Sequence, residues 1–159
     1  MRTKLRRLGL IWVGMQFTLI GGWVYLTIDT GPDLFNQWFD SPLLSVLGLT
    51  LIVAGSLLSI VATFTLGSNL TPLPEPKPNA QLVNSGLYGR VRHPVYGGIT
   101  LILWGITIPL LSWKLFIATT IITLFFIAKS IYEERWLVEQ YPEYADYCKR
   151  TWRFIPKPY

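Results

Sequence analysis

Residues 95–128 read VYGGITLILWGITIPLLSWKLFIATTIITLFFIA, with Lys114 the only charge among them. As one helix this block is about 50 Å long at ~1.5 Å per residue, too long for a single crossing of a hydrocarbon core about 30 Å thick. Pro109 and the polar Ser112-Trp113-Lys114 offer a turn near its middle. The block therefore reads as a hairpin of two helices, 95–111 and 115–131. Upstream, residues 8–28 and 43–66 carry no charge, and each is long enough to cross a bilayer as a helix. The expectation is an all-α integral membrane protein with four transmembrane helices, one membrane domain spanning residues 1–159. A cytoplasmic loop, 67–94, and a cytoplasmic C-terminal helical segment, 132–159, complete it.

Charge supports that count independently. With four spans, both termini and the 67–94 loop share one side of the membrane. That side holds Arg2, Lys4, Arg6, Arg7, Lys77, Arg90, Arg92, Lys129, Arg135, Lys149, Arg150, Arg153 and Lys157. Lys114 faces the other side with Asp29, Asp33 and Asp40. Such a bias places the basic side in the cytoplasm. Reading 95–128 as one span would send the six basic residues after it outside. The apolar content of 51% and charged content of 14% agree with a membrane protein. The first apolar run is too long for a cleaved leader, and no small-x-small site follows it before Asp29. The net charge of +5 raises the question of nucleic acid, but the basic residues sit beside spans and among aromatics, which suits anionic lipid headgroups instead. One cysteine, Cys148, provides neither an intrachain disulfide nor a zinc site, and no metal site is expected.

Smaller signals fill in the frame. Gly55, Ser59 and Thr63 recur every four residues, so that face is expected to pack closely against another helix. Trp23, Tyr25, Trp38, Phe39 and Trp113 are expected at the outer interface. Alternate prolines from Pro72 to Pro78 favour a stiff, extended strap. Pro94 suits the first turn of the third span. The fourth helix is expected to run on to Gln140, followed by a short helix from Pro142 with Tyr141, Tyr144, Tyr147 and Cys148 on one face.

Two polar clusters press against these apolar runs. The first, Gly86-Leu87-Tyr88-Gly89-Arg90-Val91-Arg92-His93-Pro94-Val95-Tyr96-Gly97, holds the chain's single histidine. Its arginines suit a carboxylate or phosphate, and His93 suits an anionic group or a proton transfer. The second is Tyr132-Glu133-Glu134-Arg135. Adjacent carboxylates at a membrane boundary repel each other and cost desolvation unless cations or donors compensate. They sit about 100° apart around a helix, so one is expected to pair with Lys129 or Arg135 while the other turns inward. By residue type alone, the same features also fit an interfacial histidine, arginines snorkelling to headgroups and a solvated acidic extension. No G-x-G-x-x-G, P-loop, H-E-x-x-H or nucleophile elbow occurs, which argues against a Rossmann-type enzyme.

Together, Leu82-Val83-Asn84-Ser85-Gly86-Leu87-Tyr88, Arg92-His93-Pro94-Val95-Tyr96, Glu133-Glu134-Arg135-Trp136-Leu137, Tyr144, Tyr147 and Phe154-Ile155-Pro156 resemble the isoprenylcysteine carboxyl methyltransferase family. That family belongs with the phospholipid methyltransferases, and the likeness covers roughly residues 70–156. It implies S-adenosylmethionine as methyl donor, held on the cytoplasmic side by Tyr88, Arg92, His93, Tyr96, Glu133 and Glu134. Arg92 or His93 is expected on the donor's carboxylate, and Glu133 or Glu134 on its ammonium. A lipophilic acceptor, of isoprenylcysteine-carboxylate type or a similar small molecule, would enter sideways from the bilayer. Arg150 and Arg153 would hold its carboxylate and, with Glu134, form the catalytic set. The compact form suits a prokaryotic plasma membrane. The alternatives are a phospholipid amine N-methyltransferase, a nicotinamide-dependent membrane reductase and a non-enzymatic four-helix scaffold.

Overall fold

The computed structural model describes residues 2–29, 34–74, 77 and 80–154, with the backbone alone at 2–8, 34 and 35. Asp33, Glu75, Pro76, Pro78, Ile155, Pro156 and Lys157 lie outside the described residues, as do the side chains of Arg2, Lys4, Arg6 and Arg7. Among the described residues six α-helices follow in order: α1 (Arg2–Asp29), α2 (Leu34–Phe39), α3 (Pro42–Leu66), α4 (Pro94–Leu110), α5 (Trp113–Gln140) and α6 (Tyr144–Arg150). Among the described residues three helical stretches are long and apolar enough to cross a membrane: Gly9–Asp29, Pro42–Asn69 and Trp113–Gln140. The remaining expected span, α4, is apolar but only 17 residues long.

The hairpin turn falls where the polar residues predicted it. Leu111 adopts a left-handed conformation (φ 46°), and Ser112 caps α5 by accepting the Leu115 amide at 3.5 Å. Pro109 stays inside the last turn of α4. Lys114 lies 3.9 Å from Asp29, so this turn and the end of α1 meet at one end of the bundle. The short α2 was not expected, and α6 begins at Tyr144 rather than Pro142.

Helix α3 packs chiefly on α4, at backbone distance. A Cβ placed on Gly48 would stand 2.5 Å from the Gly105 carbonyl, and one on Gly55 would stand 2.5 Å from that of Gly98. The expected inward face of Gly55 and Ser59 is therefore real, and its counterparts are glycines of α4. The opposite face of α3 leaves Leu43, Val46, Leu49, Leu57 and Phe64 exposed, as a lipid-facing surface does.

Helix α1 packs on α5 by different means. The Trp23 indole donates to Thr119 Oγ1 at 2.7 Å, and Thr119 shares a 2.7 Å bond with Thr107 of α4. Trp23 is therefore buried in the core with Leu103, Ile122, Phe125 and Phe126 rather than lying at the interface. Its N–H has a partner inside, and that removes the reason for it to seek water. Tyr25, Phe39 and Trp113 are exposed, and Trp38 is partly buried.

Candidate active site

The 84–93 loop is shaped by two local features. Gly86 sits at φ 58°, where a side chain would be strained, and opens a 3-10 turn, Gly86–Gly89, that buries Tyr88. His93 then precedes α4, with Pro94 occupying its first turn. A backbone clip holds the loop to the C-terminal segment. Val91 and Trp152 form an isolated parallel bridge, the Arg92 amide donates to Trp152 O at 2.8 Å, and the His93 amide donates to Arg153 O at 2.9 Å.

That clip carries Arg153 to Glu134. Arg153 Nη2 lies 2.6 Å from Glu134 Oε2, Arg92 Nε lies 2.9 Å from Oε1, and His93 Nε2 lies 3.2 Å from Oε1. Arg92 also donates through Nη1 to the carbonyls of Cys148 (3.1 Å) and Thr151, which ties α6 to the same point. Burial opposes the Arg92 charge, but the bond to Glu134 and that carboxylate's field outweigh it, so the guanidinium is held above its ordinary value. The result is a charge-compensated knot of Glu134, Arg92 and Arg153, closed on one side by His93.

Glu133, one residue earlier, points elsewhere. Its Oε1 accepts the Tyr96 hydroxyl at 2.5 Å, and its Oε2 lies 3.5 Å from His93 Nδ1. His93 therefore bridges the two carboxylates, one ring nitrogen to each. A neutral imidazole donates to one of them and an imidazolium to both. The His93 and Tyr96 rings stack at 5.7 Å, and Tyr96 stacks in turn on Phe126 at 4.9 Å, which fixes both side chains.

Glu133, Tyr96, His93 and Tyr88 line a cavity of about 340 Å³. Its other walls come from α1 (Gln16), the 70–74 and 80–83 stretches of the loop, and Tyr141, Tyr144 and Tyr147. Volumes of this order suit a small ligand or cofactor. Burial, with the nearby Glu133 charge, pushes the Tyr88 phenol up to about 12, and burial raises Tyr144 and Tyr147 further. All three are neutral hydrogen-bonding groups at physiological pH. Tyr147 donates to the Tyr88 carbonyl at 2.6 Å, and Tyr141 to that of Ala80 at 2.7 Å, so the C-terminal segment closes this wall of the cavity.

The expected residues are thus brought together unequally. Tyr88, Arg92, His93, Tyr96 and Glu133 border the cavity, whereas Glu134 is enclosed in the knot behind it. Neither glutamate forms an ion pair with Lys129 or Arg135 among the described residues. Arg153 is engaged by Glu134, and Arg150 is exposed in the last turn of α6. Lys129, expected on the basic side and as a possible partner of one glutamate, is instead fully buried and lines the cavity. The signal for it was a charge one turn before Glu133, directly after an apolar run. Gln16, a polar residue inside the first apolar run, is its partner.

The profile of the phospholipid methyltransferase family matches residues 43–144, from the start of α3 to the start of α6. The chain belongs to the phospholipid methyltransferase family. Within the matched segment lie the loop, α4 and α5, and so every cavity-lining residue named above except Gln16 and Tyr147. Arg150 and Arg153 lie beyond it. The chain is 30% identical over 129 residues to protein-S-isoprenylcysteine O-methyltransferase B of Arabidopsis thaliana, covering 79% of this chain and 64% of that protein. It is 31% identical over 151 residues to protein-S-isoprenylcysteine O-methyltransferase of Xenopus laevis, covering 89% of this chain and 51% of that one. The chain thus spans about half to two thirds of the length of these relatives.

Proposed function

We propose that this protein is a multi-pass membrane methyltransferase that uses S-adenosylmethionine and acts on a lipophilic acceptor, with an isoprenylcysteine-type carboxylate as the leading class. The observation that carries the reading is Glu133. It is a carboxylate held by Tyr96 and His93 at the wall of a mostly apolar cavity of about 340 Å³, while the adjacent Glu134 is already compensated. In the family's setting, an anchored anion beside aromatic walls suits a donor that carries an ammonium and a sulfonium.

The residues present fit that donor. Glu133 takes the ammonium, Tyr96 and Tyr88 give aromatic faces and hydroxyls, and the apolar wall of Leu70, Leu82, Val83 and Ile99 suits the nucleoside. When bound, the donor supplies an electrophilic methyl group whose transfer consumes the sulfonium charge. The protein's part is to align the groups and to exclude water. Arg92 and Arg153 act through Glu134, which sets α5 and the C-terminal clip so that Glu133 and His93 face the cavity. A carboxylate acceptor needs no base. An amine must first lose a proton.

In this reading α4 is a fourth, short span. The termini, the 67–94 loop and the C-terminal segment then share the cytoplasmic side of a prokaryotic plasma membrane, and the acceptor reaches the cavity laterally from the lipid. The test is calorimetric titration of the detergent-solubilised protein with S-adenosylmethionine and, separately, with reduced nicotinamide dinucleotide phosphate. Saturable binding of the methyl donor alone is expected, with transfer of its labelled methyl group to N-acetyl-S-farnesylcysteine as a base-labile ester. Binding of the nucleotide in place of the donor overturns the reading.

A further inference from the structure

Lys129 takes no part in the knot around Glu134, yet it is 0% exposed and lines the same cavity as Glu133. Its Nζ donates to Gln16 Oε1 at 2.6 Å and to the Pro72 carbonyl at 3.1 Å, and it stands 5.2 Å from the centre of the Tyr96 ring. All three partners are neutral. Among the described residues, no carboxylate lies within 4.0 Å of this ammonium. Burying a cation among neutral partners is costly, and an anion brought to it in a water-poor cavity offsets that cost.

Two features make the group a site rather than a stray charge. An ammonium carries three N–H donors, and α1 and the loop engage two of them from different sides, fixing Nζ in place. Lys129 also precedes Glu133 by four residues of α5, so the two share one helical face one turn apart. The cavity wall therefore presents a fixed cation and a fixed anion at the spacing of neighbouring side chains on a helix, about 5–6 Å between their Cβ atoms. Arg92 and Arg153, the cations that residue type alone would choose, are engaged by Glu134.

We propose that Lys129 is the carboxylate-recognition residue of the cavity, receiving the acidic group of the bound ligand on its ammonium. The proposal rests on the methyltransferase reading, in which two molecules carry such a group: the donor, in its amino-acid end, and an acidic acceptor. If the group is the donor's, Lys129 and Glu133 hold the two charges of one zwitterion. If it is the acceptor's, Lys129 positions the oxygen that is methylated.

The experiment compares wild type with Lys129→Gln in detergent, using two pairs of ligands that differ in the carboxylate. S-adenosylhomocysteine is set against 5′-methylthioadenosine, and N-acetyl-S-farnesylcysteine against its carboxamide. A charge-assisted hydrogen bond is worth about tenfold or more in affinity. Lys129→Gln is therefore expected to weaken one carboxylate ligand by that factor and its uncharged counterpart by less than about twofold, with Lys129→Arg restoring most of the loss. Loss confined to the first pair assigns the donor, and loss confined to the second assigns the acceptor. Equal effects on charged and uncharged ligands, or none in either pair, overturn the proposal while the reading stands. A wild-type protein that binds neither carboxylate ligand overturns both. If Lys129→Gln does not fold, Gln16→Leu carries the test. Releasing one N–H from its neutral partner is expected to tighten the carboxylate ligand several-fold and leave its counterpart unmoved, and equal shifts in both contradict the proposal.

Discussion

The wall around Glu133 and the knot around Glu134 are built on consecutive residues of one helix, but one faces a cavity and the other is filled by cationic side chains. Glu134 receives two arginines, and its oxygens are taken up within the fold. Glu133 receives a phenol and one edge of His93, and it lines the cavity. The 100° step between neighbours on a helix is enough to separate a carboxylate that holds the fold from one available to a ligand. His93, reaching both, couples the two.

That contrast can be broken from either side. The largest effect is expected for Glu134→Ala, which leaves Arg92 and Arg153 facing each other with side-chain exposures of only 10% and 31%. Removing one partner of a largely buried pair costs about 3 kcal/mol or more, so thermal unfolding should show a large drop in Tm before any ligand is added. Next is Glu133→Gln, which keeps the shape and an acceptor for Tyr96 but removes the charge. Binding of S-adenosylmethionine should weaken by about 1.5–3 kcal/mol while Tm moves little. Tyr96→Phe sharpens the comparison, since it frees one Glu133 oxygen without touching Glu134. A loss of about 1 kcal/mol in donor binding is expected by titration, roughly fivefold. The smallest effect belongs to Arg150→Ala, a change at an exposed position of α6, expected within about 0.5 kcal/mol of wild type in stability. Arg153→Ala in the same assay should be clearly worse.

Much of the frame is legible in the sequence. Charge-free runs of 21 and 24 residues ending at Ile28 and Leu66 announce helices, because a lone segment of that length satisfies its own backbone in lipid only as a helix. Pro109 and Ser112 mark the hairpin for local reasons that need no tertiary knowledge. The face of Gly55 and Ser59 is legible too, but its partner Gly98 is not, since no local signal says which helix it packs against. Trp23 was misplaced because an aromatic near a span end fits an interface as well as it fits a buried hydrogen bond to Thr119.

At the site, the composition of the two clusters was readable and their division of labour was not. Residues 92, 93, 96, 133 and 134 stand out as polar groups against apolar runs, and the fold does gather them. Which glutamate faces the cavity depends on the rotation of α5 about its axis, and that rotation is set by its packing against α1 and α4. Arg153 reaches Glu134 only through the bridge between Val91 and Trp152, two stretches far apart in sequence with no strand pattern to pair them. Lys129 read as a boundary charge because nothing in its neighbourhood signals Gln16, more than a hundred residues away.

The most direct measurement is titration of S-adenosylmethionine into Glu133→Gln and Glu134→Gln side by side, each with its thermal unfolding curve. The account predicts that Glu133→Gln keeps the wild-type Tm and loses donor affinity, whereas Glu134→Gln loses Tm first. Wild-type donor affinity in Glu133→Gln, with the loss appearing only in an equally stable Glu134→Gln, would contradict it.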